Sequence, residues 1–280
     1  MKINPSKIKL LALDLDGTLL NRNHEMSERT IKAVRNAHNK GYQIVICTGR
    51  RYASSLPHIK TLGCINEIIL DNGIIIKNTE NDKTIFANYM DGNTYSEVIK
   101  IISEIGLIPV VISDDYPSKD IFIRPQNGSN PYHRDFIEYN LKYCKIVETL
   151  SKPPSQKIIQ IAVFEEYSKL IEIETILKKY IAHLIDFFTI RAIRYAGSSL
   201  ELVPKGTSKW NALAFLLKLK GINADETIAI GDDVNDIEMI KNAGYGIAME
   251  NAFDEVKSVA DYITGDRDKD GAAEIIEKLL

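Results

Sequence analysis

Leu10-Leu11-Ala12-Leu13-Asp14-Leu15-Asp16-Gly17-Thr18 is an apolar run that ends in two carboxylates and a turn. A short continuous apolar run of this kind reads as a parallel strand buried on both faces. Asp14 and Asp16 then stand where the strand leaves the sheet, at its carboxyl end, and Gly17 turns the chain. Open α/β sheets bind their ligands just outside that edge. Two acids this close repel unless a cation, a proton or hydrogen bonds compensate them. A hard divalent ion together with a phosphate accounts for both acids at once.

The same pattern continues downstream. Ser27 is a candidate N-cap for a helix running to about Lys40, with Gly41 ending it. Gln43–Cys47 reads as a second buried strand, closed by Thr48-Gly49-Arg50. A short helix, the strand Glu67–Leu70 and the turn Asp71-Asn72-Gly73 follow. The pattern resumes near Leu200, with a helix over Lys209–Lys218 and a buried strand Thr227–Ile230 that runs into Gly231-Asp232-Asp233. A helix beginning near Asn235, a short strand Gly246–Ala248 and a terminal helix Glu274–Leu279 complete it. Strands alternating with helices imply βαβ units and a parallel sheet.

The middle of the chain reads differently. Thr84–Tyr89, Ile108–Ile112, Ile121–Arg124, Lys157–Phe164 and Phe187–Ile193 have the composition of strands. Two helices are predicted among them, Tyr95–Ile105 and Tyr167–Ile181, and Pro, Asn, Gly and Ser clusters mark loops at 125–131 and 151–155. The expected architecture is an α/β, Rossmann-like parallel-sheet core made of residues 1–81 and 199–280, carrying an α+β insert over 82–198. No internal repeat and no low-complexity tract is visible.

Composition bounds the function. The 280 residues are 45% hydrophobic and 26% charged, with a net charge of −3, ordinary for a globular protein. A broad nucleic-acid surface would be basic, so nucleic acid is not an expected partner. Cys47, Cys64 and Cys144 have no metal-ligand spacing and fit buried thiols in a reducing compartment. The N-terminal apolar run is broken by Asp14 and Asp16, unlike a signal peptide, and no apolar stretch is long enough to span a bilayer. The expectation is a cytoplasmic protein with no membrane partner; nothing in the sequence speaks to oligomeric state.

Four clusters fall at strand ends or helix starts of the α/β part: Asp14 to Thr18, Thr48-Gly49-Arg50, Lys209, and Gly231-Asp232-Asp233-Val234-Asn235-Asp236. Each alone has a bland reading. Asp and Asn serve turns and N-caps, Thr48-Gly49-Arg50 fits an ordinary strand-to-helix turn, and a lone lysine is usually solvated. Together on one sheet edge they fit phosphate-ester hydrolysis. A carboxylate nucleophile can divide that reaction into two steps. A second carboxylate can protonate the leaving group and then deprotonate water. Mg²⁺ offsets the repulsion between an anionic nucleophile and an anionic substrate, and a hydroxyl, backbone N–H groups and a lysine can hold the phosphoryl oxygens.

Asp14, Asp16, Gly17 and Thr18, with Thr48, Lys209 and Gly231-Asp232, Asn235 and Asp236, resemble the four motifs of the haloacid dehalogenase superfamily, most nearly its Cof-type phosphatases. Asn72-Gly73, Leu200-Glu201-Leu202-Val203-Pro204 and Asp270-Gly271 strengthen the resemblance. The insert corresponds in position and length to a type C2 cap. The resemblance implies Asp14 as nucleophile and metal ligand, and Asp16 as general acid/base that lends the metal its backbone carbonyl. Asp232 would complete the metal ligands, with Asp233 and Asp236 behind it; Thr48, the Gly49 amide, Lys209 and Asn235 would hold the phosphate. Arg50 is a candidate contact with the rest of the substrate. The family's lysine is usually followed by glycine; here Trp210 follows, and packing against the sheet is the expected reason.

Other signals carry less. Asp266-Arg267-Asp268-Lys269-Asp270-Gly271 with Glu277 matches the EF-hand pattern, but an EF-hand needs a helix leading into the loop, and residues 261–265 read as a strand end and turn. The five histidines have no ligand spacing. Tyr132, His133 and Arg134, in a loop of the insert, are candidate substrate contacts. The resulting expectation is a Mg²⁺-dependent phosphatase of small phosphorylated metabolites such as sugar phosphates, working through an aspartyl-phosphate, with the insert as a lid. A phosphomutase of the same superfamily is the rival enzyme, and a non-catalytic regulatory or binding module on the same fold is the rival from another class.

Overall fold

The computed structural model describes residues 4–125, 130–191 and 197–279. The chain divides into two compact units, Met1–Ala87 with Ser208–Leu280, and Asn88–Thr207. The first unit opens with β1 (Leu10–Leu13), α1 (Glu28–Asn39), β2 (Gln43–Cys47), α2 (Tyr52–Leu62), β3 (Glu67–Leu70), β4 (Ile75–Asn78) and β5 (Thr84–Ala87). The second contains α3 (Gly92–Glu104), β6 (Val110–Ser113), β7 (Ile121–Ile123), α4 (Pro131–Asn140), β8 (Cys144–Ile146), β9 (Ile158–Glu165), α5 (Tyr167–Ile181), β10 (Ile185–Arg191) and β11 (Ser198–Pro204). The first unit resumes with α6 (Lys209–Lys220), β12 (Thr227–Gly231), α7 (Ile237–Asn242), β13 (Tyr245–Ala248), α8 (Asp254–Lys257), β14 (Tyr262–Ile263) and α9 (Gly271–Leu279).

The first unit's sheet has eight strands in the order β14-β13-β12-β1-β2-β3-β4-β5. It is parallel from β14 to β3 and antiparallel from β3 to β5. β1 pairs with β2 on one side and with β12 on the other, so the connections diverge there. Such a divergence opens a crevice at the carboxyl edge of the strands.

Local sequence explains the elements that frame this edge. Leu10, Ala12, Val45, Cys47 and Ala229 pack with Leu213, Leu216 and Leu217 of α6 and Met239 of α7. Alternate strand residues, Leu11, Leu13, Ile44 and Ile46, are buried as well, as period-two alternation demands of a sheet covered on both faces. Ser27 caps α1 by accepting the Thr30 N–H at 3.0 Å, and Ser208 caps α6 by accepting the Asn211 N–H at 3.1 Å. Trp210 packs against the apolar cluster under α6.

The second unit has a six-stranded sheet ordered β10-β11-β9-β6-β7-β8. Its core joins Tyr95, Val98 and Ile102 of α3 and Leu170 and Leu177 of α5 to one sheet face, through Val111, Ile161, Val163 and Leu200. α4 lies on β9, where Phe136 stacks on Phe164 with ring centroids 4.2 Å apart.

Three expectations change. The strand near residue 84, read as opening the insert, is the edge strand β5 of the first unit's sheet, paired with β4. Residues 199–204, read as a return to the core, lie in β11 between β9 and β10. Strand pairing is non-local, and composition does not say which sheet a strand joins. The third change is that Asn130 to Arg134 starts a helix and not a loop. The Asn130 side chain accepts the Tyr132 and His133 N–H groups at 3.0 and 3.1 Å, and Pro131 occupies the first turn. Parts of the expected 125–131 loop and of the expected Phe187–Ile193 strand lie outside the described residues. Among the described residues no helix is long and apolar enough to cross a membrane.

Candidate active site

All four clusters named from the sequence meet at the carboxyl edge of β1, β2 and β12. Asp14 follows β1, and its N–H donates to the Ile230 carbonyl at 3.0 Å. Thr48 follows β2 and donates its N–H to the Ile69 carbonyl at 2.9 Å. Asp232 follows β12, and Lys209 is the first residue of α6.

Lys209 is the centre of the arrangement. Its ammonium is 2.7 Å from Asp14 Oδ1 and 2.7 Å from Asp236 Oδ1, and only 1% of the residue is exposed. A cation at a helix N-terminus opposes the helix dipole, and burial adds a desolvation cost. Burial alone would lower the proton affinity of Lys209, but the Asp14 and Asp236 carboxylates outweigh it and hold the ammonium well above its ordinary range. Asp236 is wholly buried. Its second oxygen accepts the Asp232 and Asp233 N–H groups at 3.0 and 3.2 Å, so both oxygens are already used. Gly231 makes this possible, since a Cβ there would stand 2.4 Å from the Asp236 Cγ. The Asp233 side chain turns outward and caps the Val234 N–H at 2.6 Å.

Asp14, Asp232 and Asp236 each present a carboxylate oxygen, and these lie within 4.8 Å of one another. Asp232 accepts the Thr18 hydroxyl at 3.2 Å and the Asn251 Nδ2 at 3.2 Å. Asn251 also donates to the Gly17 carbonyl at 2.9 Å. Gly17 has φ +85, and a Cβ there would stand 2.0 Å from Asp232 Oδ2, so no other residue fits this turn. Burial, then the charges of Asp236 and Asp232, hold the Asp14 carboxyl well above the usual carboxylate range against the pull of Lys209. Burial, with Asp236 and Asp233, pushes Asp232 up to about 7. Three carboxylates face one ammonium here, and every donor is a hard oxygen. That donor set and charge excess fit a hard divalent cation such as Mg²⁺. Each of the three presents an oxygen toward such an ion, and Asp236 already carries three hydrogen bonds, from the Lys209 ammonium and two backbone N–H groups.

Asp16 is bound differently. The Arg50 guanidinium grips it with Nε on Oδ2 and Nη2 on Oδ1, both at 2.5 Å, while His24 Nδ1 lies 3.4 Å from Oδ1. Arg50, expected to contact substrate, therefore reaches the candidate acid/base in this structure. The Thr48 hydroxyl oxygen accepts the Arg50 N–H at 3.1 Å. Gly49, the next residue, is exposed.

Asn235 donates from Nδ2 to Asn72 Oδ1 at 2.8 Å, and its own Oδ1 is buried with no hydrogen-bond partner. Asn72 has φ 58, a left-handed conformation that asparagine tolerates. Asn72 stood in the sequence as half of a turn and part of the family resemblance, with no role assigned to it, and Asn251 carried no local signal at all. Tyr132, His133 and Arg134 belong to the other unit. Tyr132 lies over Gly197, His133 is buried with Nε2 lacking a partner, and exposed Arg134 stands 4.0 Å from Glu138.

Comparison with known proteins covers nearly the whole chain. The model of the haloacid dehalogenase-like hydrolases matches residues 11–276. Phosphatase YwpJ of Bacillus subtilis is 28% identical over 294 residues, covering 98% of this chain and 100% of that protein. The 5-amino-6-(5-phospho-D-ribitylamino)uracil phosphatase YitU of Bacillus subtilis is 25% identical over 277 residues, covering 98% of each. The crystal structure of a haloacid dehalogenase-like hydrolase from Bacteroides thetaiotaomicron matches with a TM-score of 0.81 at 30% identity, over 98% of this chain and 100% of that one. The protein belongs to the haloacid dehalogenase-like hydrolases and is a phosphate-monoester hydrolase of that family.

Proposed function

We propose that this phosphatase hydrolyses sugar or polyol phosphates with Mg²⁺, through a phosphoryl group carried transiently on Asp14. The observation that supports this most is the state of Asp14. Lys209 holds one oxygen at 2.7 Å, and among the described residues no donor reaches the other. One oxygen is fixed and the second is left for attack. Substrate size follows from the relative YitU, whose named substrate carries a phosphoribityl chain.

Asp14 Oδ2 attacks phosphorus, forming an acyl phosphate as the ester P–O bond breaks. The departing alkoxide takes a proton from Asp16. Asp16, now a carboxylate, takes a proton from water; the water oxygen bonds to phosphorus, inorganic phosphate leaves and Asp14 is regenerated. Lys209, Thr48, the Gly49 amide and Asn235 bind the phosphoryl oxygens as charge shifts among them. Mg²⁺, held by the Asp14 and Asp232 carboxylates and the Asp16 backbone carbonyl, would supply the positive charge that lets an anionic nucleophile approach an anionic ester. Asp236 orders Lys209 and the backbone at Asp232 and touches no substrate.

Phosphate release from a panel of sugar and polyol phosphates, each measured with Mg²⁺ and with a chelator, tests this reading. The expected result is turnover only with the metal, with no bisphosphate activator. A requirement for such an activator would favour a mutase, and no release from any ester would favour a non-catalytic role.

A further inference from the structure

The Arg50 guanidinium is held from two directions. Its Nε and Nη2 edge grips Asp16, and its remaining nitrogen, Nη1, is 2.8 Å from His58 Nε2 and 3.4 Å from the Ser54 carbonyl. His58 and Ser54 both belong to α2, the helix that follows Arg50 directly. An arginine has donors and no acceptor and stays protonated. The 2.8 Å contact therefore runs from Arg50 Nη1–H to a lone pair on His58 Nε2, which makes the ring neutral with its proton on Nδ1. The Arg50 side chain is 9% exposed against 35% for Asp16. The cation is thus anchored on the helix side, and its acidic partner faces solvent.

We infer that His58 is a positioning residue for the acid step: it keeps the Arg50 guanidinium aimed at Asp16. This rests on the proposed role of Asp16 as acid/base. The fork on Asp16 fixes one edge of the guanidinium, and an incoming dianionic phosphate competes for that edge. His58, with the longer contact from the Ser54 carbonyl, ties the opposite edge to α2. Without His58 the guanidinium is free to leave Asp16, and Asp16 loses the orientation that points its proton at the leaving oxygen. Phosphate binding itself is unaffected, because none of the groups that hold the phosphoryl oxygens touches His58.

The test compares two aryl esters of the same shape, phenyl phosphate and p-nitrophenyl phosphate. Phenoxide is strongly basic and leaves well only with a proton; p-nitrophenoxide leaves without one. In Mg²⁺-loaded full-length protein, His58→Ala should lower kcat/KM for phenyl phosphate about tenfold and for p-nitrophenyl phosphate less than about twofold, with the shortfall in kcat and not KM. His58→Gln, whose amide oxygen can accept from Nη1, should restore most of the loss. An equal drop for both esters, no drop for either, or no rescue by glutamine would overturn the positioning role. Asp16→Asn is measured beside them. If it fails to discriminate between the two esters, Asp16 is not the acid and the underlying mechanism falls. If it discriminates and His58→Ala does not, only the role of His58 falls.

Discussion

Replacing Asp232 by Asn should make the metal-free protein more stable above neutral pH, although it removes a candidate metal ligand. Burial and the charges of Asp236 and Asp233 push the Asp232 carboxyl from an ordinary 3.8 up to about 7. A raised proton affinity in the folded state means that the stabilising form is the protonated one. Its contribution is complete below 3.8 and is lost as pH rises through about 7. A shift of about 3 units at about 1.4 kcal/mol each gives a ceiling near 4 kcal/mol. Water reaches this partly exposed side chain, and screening brings the expected gain to about 1–2 kcal/mol. Asn is neutral at all these pH values and keeps an oxygen for the Thr18 hydroxyl. In EDTA at pH 8 its urea midpoint should therefore lie about 0.5–1 M above that of the parent, and the difference should vanish near pH 4. Saturating Mg²⁺ should reverse the order, because a ligand at a hundred times its Kd adds about 2.7 kcal/mol to the parent. A lower midpoint for Asp232→Asn in EDTA at pH 8, or an equal gain from Mg²⁺ in both proteins, would show that Asp232 is neither strained by its neighbours nor a metal ligand.

Other consequences are equally open to measurement. Lys209→Met leaves Asp14 and Asp236 buried without their cation and should cost about 3–5 kcal/mol in urea unfolding at pH 8, with a smaller loss at lower pH, where the Asp14 carboxyl, held above the usual carboxylate range by burial, takes up a proton; stability unchanged at both pH values would count against the trio. Ca²⁺ should support far less turnover than Mg²⁺ and inhibit when both are present, since its larger, looser shell would occupy both oxygens of Asp14, a point settled by initial rates in mixed metals. Tyr132→Phe and Arg134→Ala should change the ranking among sugar phosphates while leaving p-nitrophenyl phosphate within about twofold, whereas His133→Ala, a deletion in a packed interior, should mainly lower the unfolding midpoint.

The edge of the first sheet was legible because its signals are local. Leu10–Leu13 is apolar throughout, and an unbroken apolar run closed by carboxylates and Gly17 has few other readings. Ser27 and Ser208 announce their helices by capping, a relation that spans three residues. The order of the four clusters carried the candidate site, since βαβ succession brings successive strand ends to one edge. What escaped depends on contacts far apart in the chain. Thr84–Ala87 and Ser198–Pro204 look alike as strands, and only their pairing partners separate them. The bond from Asn251 to Asp232 and that from Asn235 to Asn72 join residues far apart in the chain, a pairing that no local signal announces. Arg50 was assigned to substrate for the same reason, since its bidentate hold on Asp16 crosses from one strand end to the next. The start of α4 is the exception. Asn130-Pro131 is a capping signal that was present and was outweighed by the loop-forming residues just before it.

The most direct measurement is to quench the protein with acid during turnover of a sugar phosphate in Mg²⁺ and to locate any phosphoryl group by peptide mass mapping. The expected result is an acid-stable, hydroxylamine-labile phosphoryl group on the peptide containing Asp14, at the oxygen that Lys209 leaves open, and none in Asp14→Asn, which should retain less than about a hundredth of parental turnover. A phosphoryl group on another residue, or brisk turnover by Asp14→Asn with no labelled peptide, would contradict it.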